Sequence, residues 1–188
     1  MRWLLVILAG VVLLSGCSTG RDAVDQNAGG GNRFVAGDGR TVVYAGADRK
    51  PAPAVQGSTV DGGSFDLASV RGHVVVLNFW ASWCAPCRSE AAELEAVHQS
   101  TKDSGVTFVG VDSRDERDAA RAFLTGRVTY PSLYDPSGRI ALRFTDVPPT
   151  TLPATLIVDK DGKIAAVIRA TVRRTELTEL VGQIGAGS

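Results

Sequence analysis

Cys84 and Cys87 stand two residues apart in Trp83-Cys84-Ala85-Pro86-Cys87-Arg88. A pair at this spacing can close to a disulfide and reopen, or hold a soft metal ion. Zinc needs two further ligands, and the sequence offers only His73 and His98, with no second cysteine pair. A copper carrier would want a wider cysteine spacing and a distal histidine, and neither can be placed. A purely structural disulfide is poorly placed, because so short a loop removes little entropy from the unfolded chain. Redox exchange is therefore the chemistry the spacing favours.

The elements around the pair support it. His73–Phe79 is a short apolar run rich in valine, suited to a buried central strand. Ser89–Gln99 places Ala92, Leu94, Ala96 and Val97 among Glu90, Glu93 and Glu95, the pattern of an amphipathic helix. The cysteines thus fall where a buried strand hands over to a helix. A helix N-terminus carries partial positive charge and unsatisfied N–H groups, which stabilise a thiolate. Cys84 is the expected nucleophile. Cys87, one turn inside the helix and less exposed, is placed to resolve a mixed disulfide. Pro86 falls in the first turn, where its missing N–H costs nothing.

Asn78-Phe79-Trp80-Ala81-Ser82-Trp83-Cys84-Ala85-Pro86-Cys87-Arg88 resembles a thioredoxin-fold active site, and in detail that of the TlpA/ResA-like thiol-disulfide oxidoreductases. The likeness spans roughly Arg49 to Ile184. Pro51-Ala52-Pro53, Asp61-Gly62-Gly63 and Ser69-Val70-Arg71-Gly72 match that family's opening segment. Tyr130–Asp135 with Gly138, and Leu152–Asp159 with Asp161-Gly162-Lys163, match its later segments. The resemblance implies an α/β thioredoxin-like fold: a central mixed β-sheet flanked by helices on both faces, here with an N-terminal β extension. It implies a cis peptide bond before Pro153, beside the cysteines. The backbone of Leu152 would then be free to pair with a substrate strand. Trp83 would stand at the substrate-binding rim and Trp80 in the core. The family also carries an acid at the position of Glu90, three residues beyond Cys87, as a proton acceptor that tunes the cysteines. Cytoplasmic-type thioredoxins place a buried Asp where this chain has Asn78, which cannot take a proton. Ala91-Ala92 stands where the family often has a helix-kinking proline, so a straighter helix is expected. Arg88 reads two ways, as positive charge beside the pair or as an exposed helix residue. His73 and His98 read as surface residues.

Farther on, Val106–Val111 reads as a second buried strand, Arg114–Arg127 as a surface helix, Ile164–Ile168 as a closing strand and Arg173–Ile184 as a last helix. No dinucleotide-binding glycine fingerprint is present, and no cofactor or metal is expected.

The third cysteine needs its own account. Residues 1–16 read as a basic start, an apolar run from Leu4 to Leu14 and a small-residue exit, the layout of a signal peptide. The run is shorter than the ~20 residues of a permanent span. Leu14-Ser15-Gly16-Cys17 resembles the bacterial lipobox, which implies cleavage before Cys17 and its lipidation. Residues 17–48 then form a lipid-anchored, Gly-rich tether, with a hairpin across Gly37-Asp38-Gly39, and 49–188 the thioredoxin-like domain.

The chain has 188 residues, 20 basic and 20 acidic, a balance that argues against a nucleic-acid binder. The family resemblance further implies reduction of disulfides in exported proteins, apocytochrome c among them, with a membrane thiol transporter as reductant. The expected site is the extracytoplasmic side of the cell membrane, with the protein a lipid-anchored monomer. The competing readings are a disulfide-forming oxidase, a non-enzymatic metal-carrier or thiol-binding lipoprotein, and a peroxidase using sulfenic-acid chemistry.

Overall fold

The computed structural model describes residues 32–35, 41–145, 149 and 152–187. The expected signal peptide, Cys17, most of the tether and the Gly37-Asp38-Gly39 turn lie outside the described residues. The strands are β1 (Asn32–Val35), β2 (Thr41–Tyr44), β3 (Gln56–Ser58), β4 (Ser64–Asp66), β5 (Val74–Trp80), β6 (Val106–Ser113), β7 (Ser132–Asp135), β8 (Ala154–Val158) and β9 (Ile164–Ile168). The helices are α1 (Ala85–Thr101), α2 (Arg117–Leu124), α3 (Arg139–Leu142) and α4 (Arg174–Ala186).

The main sheet has seven strands in the order β1-β2-β9-β8-β5-β6-β7, and β3 and β4 form a separate two-stranded hairpin. β5, β6 and β7 run parallel, while β8 lies antiparallel to β5 on its other side. Every residue of β5 is buried, as a strand covered on both faces requires. Its pleat sends Val74 and Val76 to one core and Val75, Leu77 and Phe79 to the other. The first core is closed by Leu94 and Val97 of α1 and Leu177, Leu180, Val181 and Ile184 of α4. The second is closed by Ile140 of α3, by Phe144, and by the segment carrying Val55, Phe65 and Leu67. Helices therefore flank both faces of a mixed sheet, the expected thioredoxin-like arrangement.

The hairpin β1–β2 pairs antiparallel with itself and, through β2, with β9. It is thus the β extension of the sheet. One expectation is corrected. His98 is only half-exposed, its ring 5.5 Å from that of Phe108 and 5.4 Å from that of Tyr130. Lying next to the buried Val97 on α1, it joins an aromatic cluster instead of facing solvent, and burial lowers its pKa.

Candidate redox-active site

Cys84 caps α1. Its amide donates to Ala81 O at 3.1 Å, its carbonyl accepts from Arg88 N–H at 3.1 Å, and its sulfur accepts from Cys87 N–H at 3.3 Å. The helix terminus thus presents an N–H to the sulfur, as the strand-to-helix junction predicts. Cys84 and Cys87 form a disulfide with Cα atoms 5.3 Å apart. In this oxidised form the two differ little in exposure, at 5% and 3%. Both pack in one apolar cluster with Val60, Trp80, Ala81 and Ala120, against which Phe123, Leu124, Tyr134 and Leu152 lie. Pro86 stands in the first turn of α1.

The buried stripe of α1 is Cys87, Glu90, Ala91, Leu94 and Val97, a helical period that puts Cys87 and Glu90 on one face. Glu90 is 2% exposed. Its Oε1 accepts from Asn78 Nδ2 at 3.0 Å and its Oε2 from Val172 N–H at 2.9 Å. Asn78 Nδ2 also donates to Thr155 Oγ1 at 3.0 Å, across the β5–β8 pairing. Burial outweighs these two donors and pushes the Glu90 carboxyl up to about 7. It is therefore no solvated helix acid: it carries its proton at mildly acidic pH and sheds it near neutrality.

The Leu152–Pro153 peptide bond is cis, and Pro153 is buried immediately before β8. Leu152 is partly buried and packs against the cluster that contains both cysteines. Trp83, by contrast, is 62% exposed, with Nε1 donating to Arg114 O at 3.1 Å. Trp80 is 4% exposed. Its Nε1 reaches Ser132 Oγ at 2.8 Å, passing over Gly110, where a side chain would collide with both groups. Arg88 is exposed, its guanidinium carbon 5.7 Å from the Phe123 ring centroid. Among the described residues no cluster of His, Cys, Asp and Glu is arranged to hold a metal ion.

Sequence reasoning missed the residues that hold the loop before Cys84. Ser82 N–H and Ser82 Oγ both donate to the Asp115 carboxylate, the latter at 3.0 Å. Glu116 N–H donates to the same carboxylate at 2.8 Å, and Tyr134 Oη donates to Asp115 O at 3.2 Å. Arg114, with φ 58°, makes the turn that aims its carbonyl at Trp83. The signal was faint: Asp112 and Asp115 sit where a strand was expected to have ended already.

A mixed sheet with a cysteine pair capping the helix after its central strand, beside a cis-proline loop, defines a thiol-disulfide oxidoreductase of thioredoxin-like fold. The AhpC/TSA family matches residues 49–167. The thiol-disulfide oxidoreductase ResA of Bacillus subtilis is 28% identical over 150 residues, covering 79% of this chain and 80% of ResA. A DsbF homologue from Corynebacterium diphtheriae superposes with a TM-score of 0.73 at 33% identity, covering 80% of this chain and 97% of its own. A secreted thiol-disulfide isomerase from Corynebacterium glutamicum gives 0.71 at 34% identity, covering 81% and 99%. The chain belongs to the AhpC/TSA family, as a TlpA/ResA-like member.

Proposed function

We propose that this oxidoreductase works outside the cytoplasm, held to the membrane by lipid on Cys17, and reduces disulfides of exported proteins. The observation that carries the proposal is the Cys84–Cys87 disulfide at the start of α1, with buried Glu90 on the same helix face. In the reduced enzyme the Cys84 thiolate attacks a substrate disulfide, forms a mixed disulfide and expels one substrate thiolate. The Cys87 thiol gives its proton to Glu90 and attacks the Cys84 sulfur. The second substrate thiol leaves, two electrons have passed to substrate, and Cys84–Cys87 is oxidised. A carboxyl near 7 is matched to accepting that proton at neutral pH. Leu152, packed against the cysteine cluster, offers its backbone to an extended substrate segment, with Pro153 closing that wall and exposed Trp83 forming the rim.

The apolar leader and lipobox-like Leu14–Cys17 support the tether, and the secreted relative supports an extracytoplasmic site. No helix among the described residues is long and apolar enough to cross a membrane. Substrates would include the disulfide form of the Cys-x-x-Cys-His site of apocytochrome c, and a membrane thiol transporter would restore the dithiol. The opposite direction, forming or isomerising disulfides, is the second reading, favoured by the description of the C. glutamicum neighbour. The reduction potential decides between them. A reductase is expected toward the thioredoxin end of the scale, ~−270 mV, and a value near ~−120 mV would overturn the reducing direction.

A further inference from the structure

The dithiol chemistry leaves Asp112, the most deeply buried acid among the described residues, unused. Asp112 lies near the end of β6, in register with Trp80 of β5 and Tyr134 of β7. Strand alternation puts it on the face of Val106 and Phe108, the side covered by α1 and α4. It is 0% exposed, and neither carboxylate oxygen has a donor among the described residues. An ion stripped of water and of donors is among the costliest groups a core can hold.

The polar group that faces it is another acid, Asp115. That carboxylate already has donors of its own: Ser82 N–H, Ser82 Oγ and Glu116 N–H all donate to it. Two carboxylates in contact are acceptor against acceptor, and only a proton between them makes the contact favourable. Asp112, without donors, is where that proton belongs. Two further charges act on it. Arg117 pulls toward ionisation, though its guanidinium is engaged by Thr59 O at 2.7 Å, Val60 O at 3.1 Å and the Tyr134 ring at 4.0 Å. Asp135 opposes ionisation, its carboxylate held by Arg139 and Ile140 N–H at 2.8 Å each. Burial first, then Asp115, raise the Asp112 carboxyl to about 8.

We propose that Asp112 and Asp115 form a carboxylic acid–carboxylate pair sharing one proton, and that this proton anchors the Ser82–Trp83 loop carrying Cys84. Ser82 hangs on Asp115 by two hydrogen bonds and Trp83 on Arg114 by a third. Loss of the proton sets two anions face to face at the root of that loop, and Asp115 can relieve the repulsion only by leaving Ser82. The two acids are positioning residues, touching the loop rather than the sulfurs. The role assigned to them rests on Cys84 being the exchange site, whereas the pair itself is testable without any exchange.

The test is a pH titration of the oxidised full chain labelled with ¹³C and ¹⁵N, following the Asp112 carboxyl carbon and the Ser82 amide. The Asp112 carbon should shift with a midpoint near 8, and the Ser82 amide should shift with the same midpoint. In Asp112→Asn, whose Nδ2 still donates to Asp115 but cannot titrate, the Ser82 step should vanish and the amide should keep its low-pH position. Glu90→Gln should leave the step in place, which separates it from the Glu90 titration. An Asp112 already ionised at ~pH 6, well below the expected midpoint, would overturn the proposal. So would a Ser82 amide that does not move in step, or a step that persists in Asp112→Asn. The wild-type titration needs no substitution and decides the pair alone. A chain that passes it but exchanges no disulfide refutes the functional reading and not the pair.

Discussion

Replacing Glu90 with glutamine changes one property above others: the variant has no proton to lose. Glu90 is buried, and its carboxyl is raised from 4.5 to about 7. Below the lower value the group is neutral in both folded and unfolded chains and contributes no pH dependence. Between the two values the folded chain keeps a proton that the unfolded chain has released, so stability falls as pH rises. Above the higher value both states are ionised and the full cost is in place. Converted at ~1.4 kcal/mol per pKa unit, the gap amounts to ~3 kcal/mol. The assay is urea unfolding of the oxidised protein and of Glu90→Gln at a series of pH values. The unfolding free energy of wild type minus variant should fall by ~3 kcal/mol across the window and then level off. Asp112, the other acid raised by burial, is common to both proteins and drops out of the difference. A difference that stays level across the window, or rises with pH, would refute the burial argument for Glu90.

Other substitutions probe the packing that holds the site. In Gly110→Ala the new Cβ would meet Ser132 Oγ at 2.6 Å and Trp80 Nε1 at 2.8 Å. The variant should lose ~1–3 kcal/mol in urea unfolding, with a blue- or red-shifted Trp80 signal as the hydrogen bond breaks. Phe144→Ala removes a ring that is 1% exposed and meets Phe79 edge-on at 5.5 Å, and should cost ~3–5 kcal/mol by the same assay. Trp83→Ala should leave stability within ~0.5 kcal/mol, because the ring is largely exposed. It should raise KM for a protein disulfide more than for a small-molecule disulfide, and equal effects on both would remove Trp83 from the rim.

The central strand and the closing strand are legible in the sequence because they are predominantly apolar runs, and Ile164–Ile168 matches β9 to the residue. The helix after the cysteines is legible on Leu94 and Val97 spaced among its glutamates, and its start on Pro86 and Cys87. α1 begins at Ala85 with Cys84 as its cap and Pro86 in its first turn, where the strand-to-helix junction puts them, although the apolar period itself is clear only from Ser89 on. The expected helix over Arg114–Arg127 shrinks to Arg117–Leu124 for identifiable reasons. Arg114 turns with positive φ, Asp115 reaches back to Ser82, and Gly126 at φ 72° breaks the far end. The hairpin β3–β4 escapes sequence reading because its strands are three residues each and largely exposed, with no apolar alternation to mark them. In the site, Cys84, Cys87, Glu90 and the proline loop are legible as a motif. The Asn78–Glu90–Val172 bonds are not, since they join β5, α1 and the segment before α4, with Glu90 and Val172 82 positions apart in the chain. Asp112 is missed for a plain reason: the apolar run ends at Val111, while the strand continues through two buried polar residues.

The most direct test of the account is a comparison of Cys87→Ser and Cys84→Ser, each reduced and mixed with a disulfide-bearing protein, with products weighed by mass spectrometry under non-reducing conditions. The account predicts that Cys87→Ser accumulates a one-to-one mixed disulfide through Cys84, which wild type resolves, and that Cys84→Ser forms none. Trapping through Cys87 instead, or no covalent intermediate with either variant, would contradict it.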